Sequence, residues 1–363
     1  MFRRLVCVTL GTACALLVST GVAAQTAERR WQLEVVGGLS FFDLPTSGDA
    51  ALPPQGPSLP TSGPTNPSRR IPTWFLGDGA SLLNGANAEF GVASRLVPLD
   101  AALRNLGLSG TNAPVMGVRI RRTLTSRWSL ELGTELWTGS TEISPELLDA
   151  VEVARASFET AFTGLLSTGP FASTSVSAAA TANDRTSREL AIIGSVRYHL
   201  LTGTLAPYVT IGGGVITRVG DLPSVTLTGN YAFRVQTNQA PAASFAESDV
   251  LTMRFEQAAG PVGMVGAGVR KDLTPRVGFS IDGRAYLSQG TLSLRLDSRP
   301  AITTGTPAAF IESFTAPSVQ FSNNSSTGRD SSLSGTPLNG FKAFTTSGVQ
   351  TRYSVTAGMF VRF

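Results

Sequence analysis

The chain has 363 residues, of which 15% are charged, and a formal net charge of +4; globular domains are typically about a quarter charged, so an ordinary cytosolic enzyme is a poor fit. Gly 38 and Pro 21, with only 8% aromatics, point to turns and strands, and beyond the N-terminus no run near eighteen apolar residues could cross a membrane as a helix. A single histidine and two cysteines exclude most histidine- and thiolate-based catalysis and metal chemistry, and so small a charge excess argues for no nucleic-acid partner.

Arg3 and Arg4 precede an apolar run from Leu5 to Val18, and the small residues Val22, Ala23 and Ala24 follow. This is the pattern of a secretory signal peptide over 1–24, cut near Ala24 and too short to span about 30 Å of hydrocarbon. It carries both cysteines, Cys7 and Cys14, so the chain from 25 to 363 has no thiol, and without Arg3 and Arg4 the net charge falls from +4 to +2. No cofactor and no metal site is expected.

From residue 31 the sequence alternates, and period two marks strands with one apolar and one polar face. The first predicted strand is 31–42. A long segment, 43–112, follows; its Pro-rich part 52–72 is expected to be extended and mobile. Trp74, Phe75 and Leu76 with Leu96, Leu99, Leu103 and Leu106 suggest a short helix or plug on a barrel mouth. Strands 113–123 and 127–139 are joined by the short turn Leu124, Thr125 and Ser126. In the second long segment, 140–188, Ser144 and Pro145 open a helix through Leu166, with Leu147, Val151, Ala154, Phe158, Ala161 or Phe162 and Leu165 at helical spacing. Strands 189–201 and 206–219 are again joined by a short turn. Gly212, Gly213 and Gly214 resemble a phosphate loop only superficially, since no helix follows, and read better as close backbone packing or a bend. The third long segment, 220–260, alternates again at 225–235 and 251–255. Strands 261–273 and 276–288 flank Thr274 and Pro275. The fourth long segment, 289–348, alternates at 292–296, so some strands are expected to continue beyond the barrel as ribbons. The last strand, 349–363, alternates over fifteen residues and ends at Phe363.

Eight strands, three short turns on one side and four long segments on the other resemble the small bacterial outer-membrane β-barrel superfamily, eight-stranded and of OmpA, OmpX and OmpW type. The leader and the terminal strand, with Tyr353, Met359, Val361 and Phe363 in register, add to the likeness. It implies an all-β fold: an eight-stranded antiparallel transmembrane β-barrel over 25–363, with short periplasmic turns and four long extracellular loops in the cell envelope of a Gram-negative bacterium. It further implies that those four terminal residues form an assembly signal for the barrel assembly machinery, and that outer-membrane lipid and lipopolysaccharide are partners.

The polar faces distinguish a membrane barrel from a soluble one, because a soluble barrel puts its apolar face inward. In the expected register the inward face carries Glu34, Arg119, Arg121, Glu131, Glu135, Arg197, His199, Arg270, Asp282, Arg284 and Arg352, joined by Arg362. Eight strands leave room only for side chains, so these groups are expected to pair across the lumen. Arg outnumber carboxylates there, so some Arg must bond carbonyls or water, or bind an anion. Trp31, Trp128, Tyr198, Tyr208 and Phe363 at the short-turn end, with Phe41, Trp137 and Leu287 at the other, are candidates for interface girdles. No catalytic residue is assigned. His199 lies at the short-turn end and on the inward face, which suits a satisfied interior histidine better than a base acting on outer-leaflet lipid. Three functions stay open: a structural or surface-interaction protein that displays its loops to an extracellular ligand, a narrow porin-like channel for small or apolar solutes, and a lipid-modifying enzyme.

Overall fold

The computed structural model describes residues 31–44, 47–59, 68–110, 112–138, 141–183, 188–236, 243–303, 313–323, 331–346 and 348–363. The expected signal peptide lies outside the described residues. Eight strands form the frame: β1 (Trp31–Asp43), β2 (Ala113–Thr123), β3 (Trp128–Thr138), β4 (Arg188–His199), β5 (Leu205–Val219), β6 (Gly260–Asp272), β7 (Val277–Gln289) and β8 (Val349–Arg362). Each is antiparallel to its neighbours in the chain. Leu33 of β1 faces Val361 of β8, and Phe41 faces Tyr353, so the last strand closes on the first. Closure leaves no edge strand and satisfies the backbone hydrogen bonds all round the wall, as a sheet surrounded by hydrocarbon requires.

The two faces of the wall differ in chemistry. Leu132, Ile211, Val265, Ile281 and Val355 point outward and are exposed, Ile211 to 65%. Arg119, Glu131 and Asp282 point inward and are buried, Arg119 completely. Trp31, Trp128, Phe41, Leu287 and Phe363 lie on the outer face as expected of girdle residues, and Tyr198 shares that face. Tyr208 and Trp137 do not. Both are buried in the lumen, where Tyr208 lies under the Arg197 guanidinium and Trp137 under that of Arg352. Strand parity explains the correction: Tyr208 shares its face with Thr210 and Trp137 with Glu135, and both of these point inward.

The four long loops build one folded cap. A seven-stranded sheet takes Asp49–Ala50 from the first loop, Phe171–Asn183 from the second, Ser224–Val235 and Ala243–Gln257 from the third, and Leu292–Ser298, Ala301–Thr303 and Phe341–Thr346 from the fourth. The alternating segments of the third and fourth loops are therefore parts of a shared sheet, not separate ribbons. Two helices join it: α2 (Pro145–Leu166) packs on strands Phe171–Asn183 and Ser224–Val235, and α1 (Gly77–Glu89) packs against α2. The α2 helix starts where Ser144 Oγ accepts from the Leu147 amide at 3.3 Å and Pro145 opens the first turn. Its buried stripe is Leu147, Val151, Ala154, Phe158, Ala161, Phe162 and Leu165, extended by Leu166.

An aromatic core locks the cap, with Phe162 stacked on Tyr231 at 4.1 Å and Trp74 edge-on to Phe162 at 5.4 Å. The leucines expected to plug the barrel mouth, Leu96, Leu99, Leu103 and Leu106, belong to this core, Leu99 and Leu103 on a short 3-10 turn. The described part of the Pro-rich segment is tied down rather than free: the Leu59 amide bonds Ser68 O, and the Gly56 amide bonds the Asp78 carboxylate at 2.8 Å.

Candidate functional site

The lumen is built in layers, because inward side chains at one level of an eight-stranded barrel all reach its axis. In the middle, Arg119 donates to Asp282 at 2.7 Å and to Glu135 at 2.8 Å. Arg284 spans Glu131 at 2.7 Å and Asp282 at 3.0 Å. Glu131 is the hub: its Oε2 accepts from Arg121 and Arg197, each at 2.7 Å, while its Oε1 takes Arg284. Glu34 receives Arg121 at 2.8 Å and the hydroxyl of Ser280. Tyr208 donates to Asp282 and Tyr286 to Glu135. Small residues make room for this network, since a Cβ on Gly268 would stand 2.6 Å from both the Asp282 Cβ and the Tyr208 hydroxyl. The glycines of β5 serve the wall in the same way: a Cβ on Gly214 would stand 1.9 Å from Ile192 O.

Above the ions lies an apolar layer containing Val115, Trp137, Ile193, Met264 and Tyr286. Arg352 seals it towards the cap, its guanidinium 4.3 Å from the ring centres of both Phe42 and Trp137 and paired with Glu189. Glu189 also accepts from Gln257 at 3.0 Å and from Arg218 at 3.4 Å. Below, at the short-turn end, His199 is buried with its ring 5.9 Å from that of Tyr208, Arg270 is half-buried, and Arg362 pairs with Asp272 at 2.5 Å.

All the inward residues expected from the sequence thus lie on the lumen side, and most of them belong to one connected set. Glu189, Arg218 and Asp272 were missed. The parity that assigns Arg197 inward also assigns Glu189, eight residues earlier on the same strand, so the signal was present. Tyr353, Met359, Val361 and Phe363 lie together on the outer face at the end of the chain.

A second polar cluster sits inside the cap. Glu247 and Asp249, on one face of strand Ala243–Gln257, are both buried. Thr73 Oγ1 and the Trp74 amide donate to one oxygen of Asp249 at 2.8 and 2.6 Å, so the first loop is pinned to the sheet. Ser331 Oγ donates to Glu247 at 2.6 Å, pinning the fourth loop, and Tyr231, itself accepting from the Trp74 indole at 3.0 Å, donates to Glu247 as well. Among the described residues no cation offsets the pair, and burial pushes both carboxyls up to about 7 despite these donors. Among the described residues no group of three or more His, Cys, Asp or Glu side chains is arranged to hold a metal ion.

The ion-filled lumen and the apolar wall together decide the architecture. This is a closed barrel turned inside out relative to a soluble one. No family model and no curated protein matches the chain. Among solved structures it is similar to the outer membrane protein OprG from Pseudomonas aeruginosa, with a TM-score of 0.35 and 9% identity over 92% of this chain and 97% of that one. The outer membrane protein AlkL, solved in DMPC lipid bilayers, gives 0.33 and 11% over 95% and 97%. The outer membrane protease OmpT from Escherichia coli gives 0.24 and 9% over 95% and 100%. Likeness at this level adds nothing to the strand register, on which the fold rests.

Proposed function

We propose that this chain is an outer-membrane barrel whose lumen is closed by its own ion-paired side chains, and whose working surface is the folded extracellular cap. The observation that carries the reading is the hub at Glu131, which draws Arg121, Arg197 and Arg284 to the axis of the barrel. With Arg119, Glu135 and Asp282 tied to the same centre, little bore is left for a solute. The protein on this view is a structural or surface-interaction protein, not an enzyme, and its cap meets an extracellular ligand. His199, the only histidine, lies at the end opposite the cap, away from outer-leaflet lipid.

Outer-membrane lipid and lipopolysaccharide would contact the apolar belt. Placing a charge there has a known scale: Leu132→Arg, if near the middle of the bilayer, is expected to destabilise the barrel by about 2–4 kcal/mol. Urea titration of barrel folding in lipid vesicles measures this, and an unchanged midpoint would mean that Leu132 does not face lipid. Phe363, with Tyr353, Met359 and Val361, would be the surface offered to the barrel assembly machinery.

Conductance of the refolded chain 25–363 in a planar bilayer tests the closed lumen. A silent bilayer is expected from protein whose folding is checked by the heat-dependent gel shift. Discrete, reproducible steps would favour the passive channel instead, and substitution of Arg119 or Arg284 would then change its ion selectivity.

A further inference from the structure

The floor of the lumen, at the short-turn end, holds more positive charge than it neutralises. Four guanidiniums, Arg121, Arg197, Arg270 and Arg362, meet three carboxylates, Glu34, Glu131 and Asp272. Asp272 is occupied on both oxygens by Arg362, at 2.9 and 2.5 Å. Glu34 pairs with Arg121 at 2.8 Å and lies 4.0 Å from Arg119, while Glu131 is shared by Arg121, Arg197 and Arg284. Among the described residues no carboxylate lies within ion-pair distance of Arg270.

The donors on this floor are correspondingly unspent. Among the described residues Arg197 uses only Nη2, which bonds Glu131; its Nε and Nη1 are buried with no acceptor there, although its side chain is fully enclosed. Arg121 Nη1, Arg270 Nε and Gln32 Nε2 are buried and unmatched among the described residues too, as is Nδ1 of His199. These groups are linked by strand pairing and by shared partners. Gln32 pairs with Arg121 across β1 and β2, and Arg270 pairs with Ser280 across β6 and β7. Ser280 in turn bonds Glu34, the partner of Arg121, while Tyr208 lies 3.7 Å under Arg197 and beside His199. Buried N–H groups seek acceptors, and guanidiniums match the oxygens of a tetrahedral oxyanion with short, charge-assisted bonds.

We infer that the floor of the lumen is a binding site for a phosphate-type oxyanion, held by Arg197, Arg270 and His199 with Arg121 and Gln32 beside them. The site is reached from the short-turn mouth, where Arg270 is half-buried. It neutralises the surplus cation and leaves the central network intact. The same chemistry is offered by free inorganic phosphate and by the headgroup of an anionic phospholipid.

The chain contains one histidine, so the Cε1–H resonance of His199 is a unique NMR reporter of the site. Refolded chain 25–363 in a neutral detergent is titrated with inorganic phosphate against chloride at constant ionic strength. A saturable shift is expected, weakened about tenfold or more in Arg270→Gln, partly restored in Arg270→Lys, and unchanged in Arg127→Gln, which alters an exposed turn outside the lumen. Each variant is first checked for folding by its heat-dependent gel mobility; Arg270 has no ion pair to lose among the described residues, so Arg270→Gln is expected to fold. Repeating the experiment with phosphatidylglycerol in the micelles separates the sources: a shift that the lipid produces by itself, and that blocks phosphate, identifies the headgroup as occupant of the same site. A shift linear in phosphate, or equal in wild type and Arg270→Gln, overturns the inference.

Discussion

Glu131→Gln is expected to be the most damaging single substitution in the barrel. The change removes one negative charge and keeps the shape, yet three guanidiniums, those of Arg121, Arg197 and Arg284, lose their shared anion inside the lumen. Breaking one buried pair typically costs about 3–5 kcal/mol because a charge is left without compensation. Here the like charges are also brought close with nothing between them, so a loss at or above that range is expected in urea titrations of the lipid-embedded barrel. The double variant Glu131→Gln with Arg284→Met should recover part of the loss, since it removes one of the stranded cations, and the cycle reports the coupling directly. A change of less than about 1 kcal/mol would place Glu131 among surface ion pairs, whose removal costs that little. The lumen would then be wet, and the closed barrel would lose its main support.

The second large effect concerns the cap and its pH dependence. Glu247 and Asp249 carry carboxyls pushed up to about 7 by burial, from ordinary values of 4.5 and 3.8. The folded cap therefore holds their protons more tightly than the opened one. The stability this contributes is fully present below pH 4, falls as pH rises through 4 to 7, and is lost above 7. Of the residues that bond these carboxyls, Thr73 and Trp74 belong to the first loop and Ser331 to the fourth, while Tyr231 lies on the sheet itself, so opening should begin where those two loops meet the sheet. Amide exchange or limited proteolysis of the refolded protein from pH 4 to 8 is expected to show progressive loss of protection around 73–75 and 331–333 while β1 to β8 stay protected. The variant Glu247→Gln with Asp249→Asn should flatten that profile. Protection that stays constant with pH in the wild type would mean that the pair is already neutralised by its hydroxyl and amide donors.

Much of this molecule is written in period two. The eight strands and the three short turns were readable because a wall with lipid-like chemistry outside and ions inside needs strict alternation, and a slip of one residue would reverse every side chain. The α2 helix was readable for the same kind of reason: Ser144 and Pro145 mark its start, and its buried stripe keeps helical spacing. By contrast α1 contains Gly77, Gly79, Gly85, Asn84 and Asn87, residues that disfavour helix, and it forms because tertiary packing overrides propensity. A Cβ on Gly79 would stand 2.4 Å from Thr73 O, so glycine there serves the close approach of the first loop. Strand Phe171–Asn183 was hidden for a different reason: its Ser, Thr and Ala residues have no apolar contrast between faces, and only pairing with Ser224–Val235 defines it. The acid pair was equally hidden. Glu247 and Asp249 lie in an alternating strand as ordinary polar residues, and their burial depends on loops hundreds of residues apart in the chain, Ser331 on one side and Thr73 on the other.

The assignment of faces is the central claim, and spin labelling along β5 tests it most directly. The chain from 25 onward has no cysteine, so single cysteines at Val209, Ile211 and Val215 on the outer face, and at Ala206, Thr210 and Ile216 on the inner one, can be labelled without background. In lipid vesicles the first three are expected to be mobile and strongly relaxed by dissolved oxygen, which concentrates in hydrocarbon, while the second three are immobile and protected. The reverse pattern, with oxygen reaching 206, 210 and 216, would contradict the account and make this a barrel with an apolar interior.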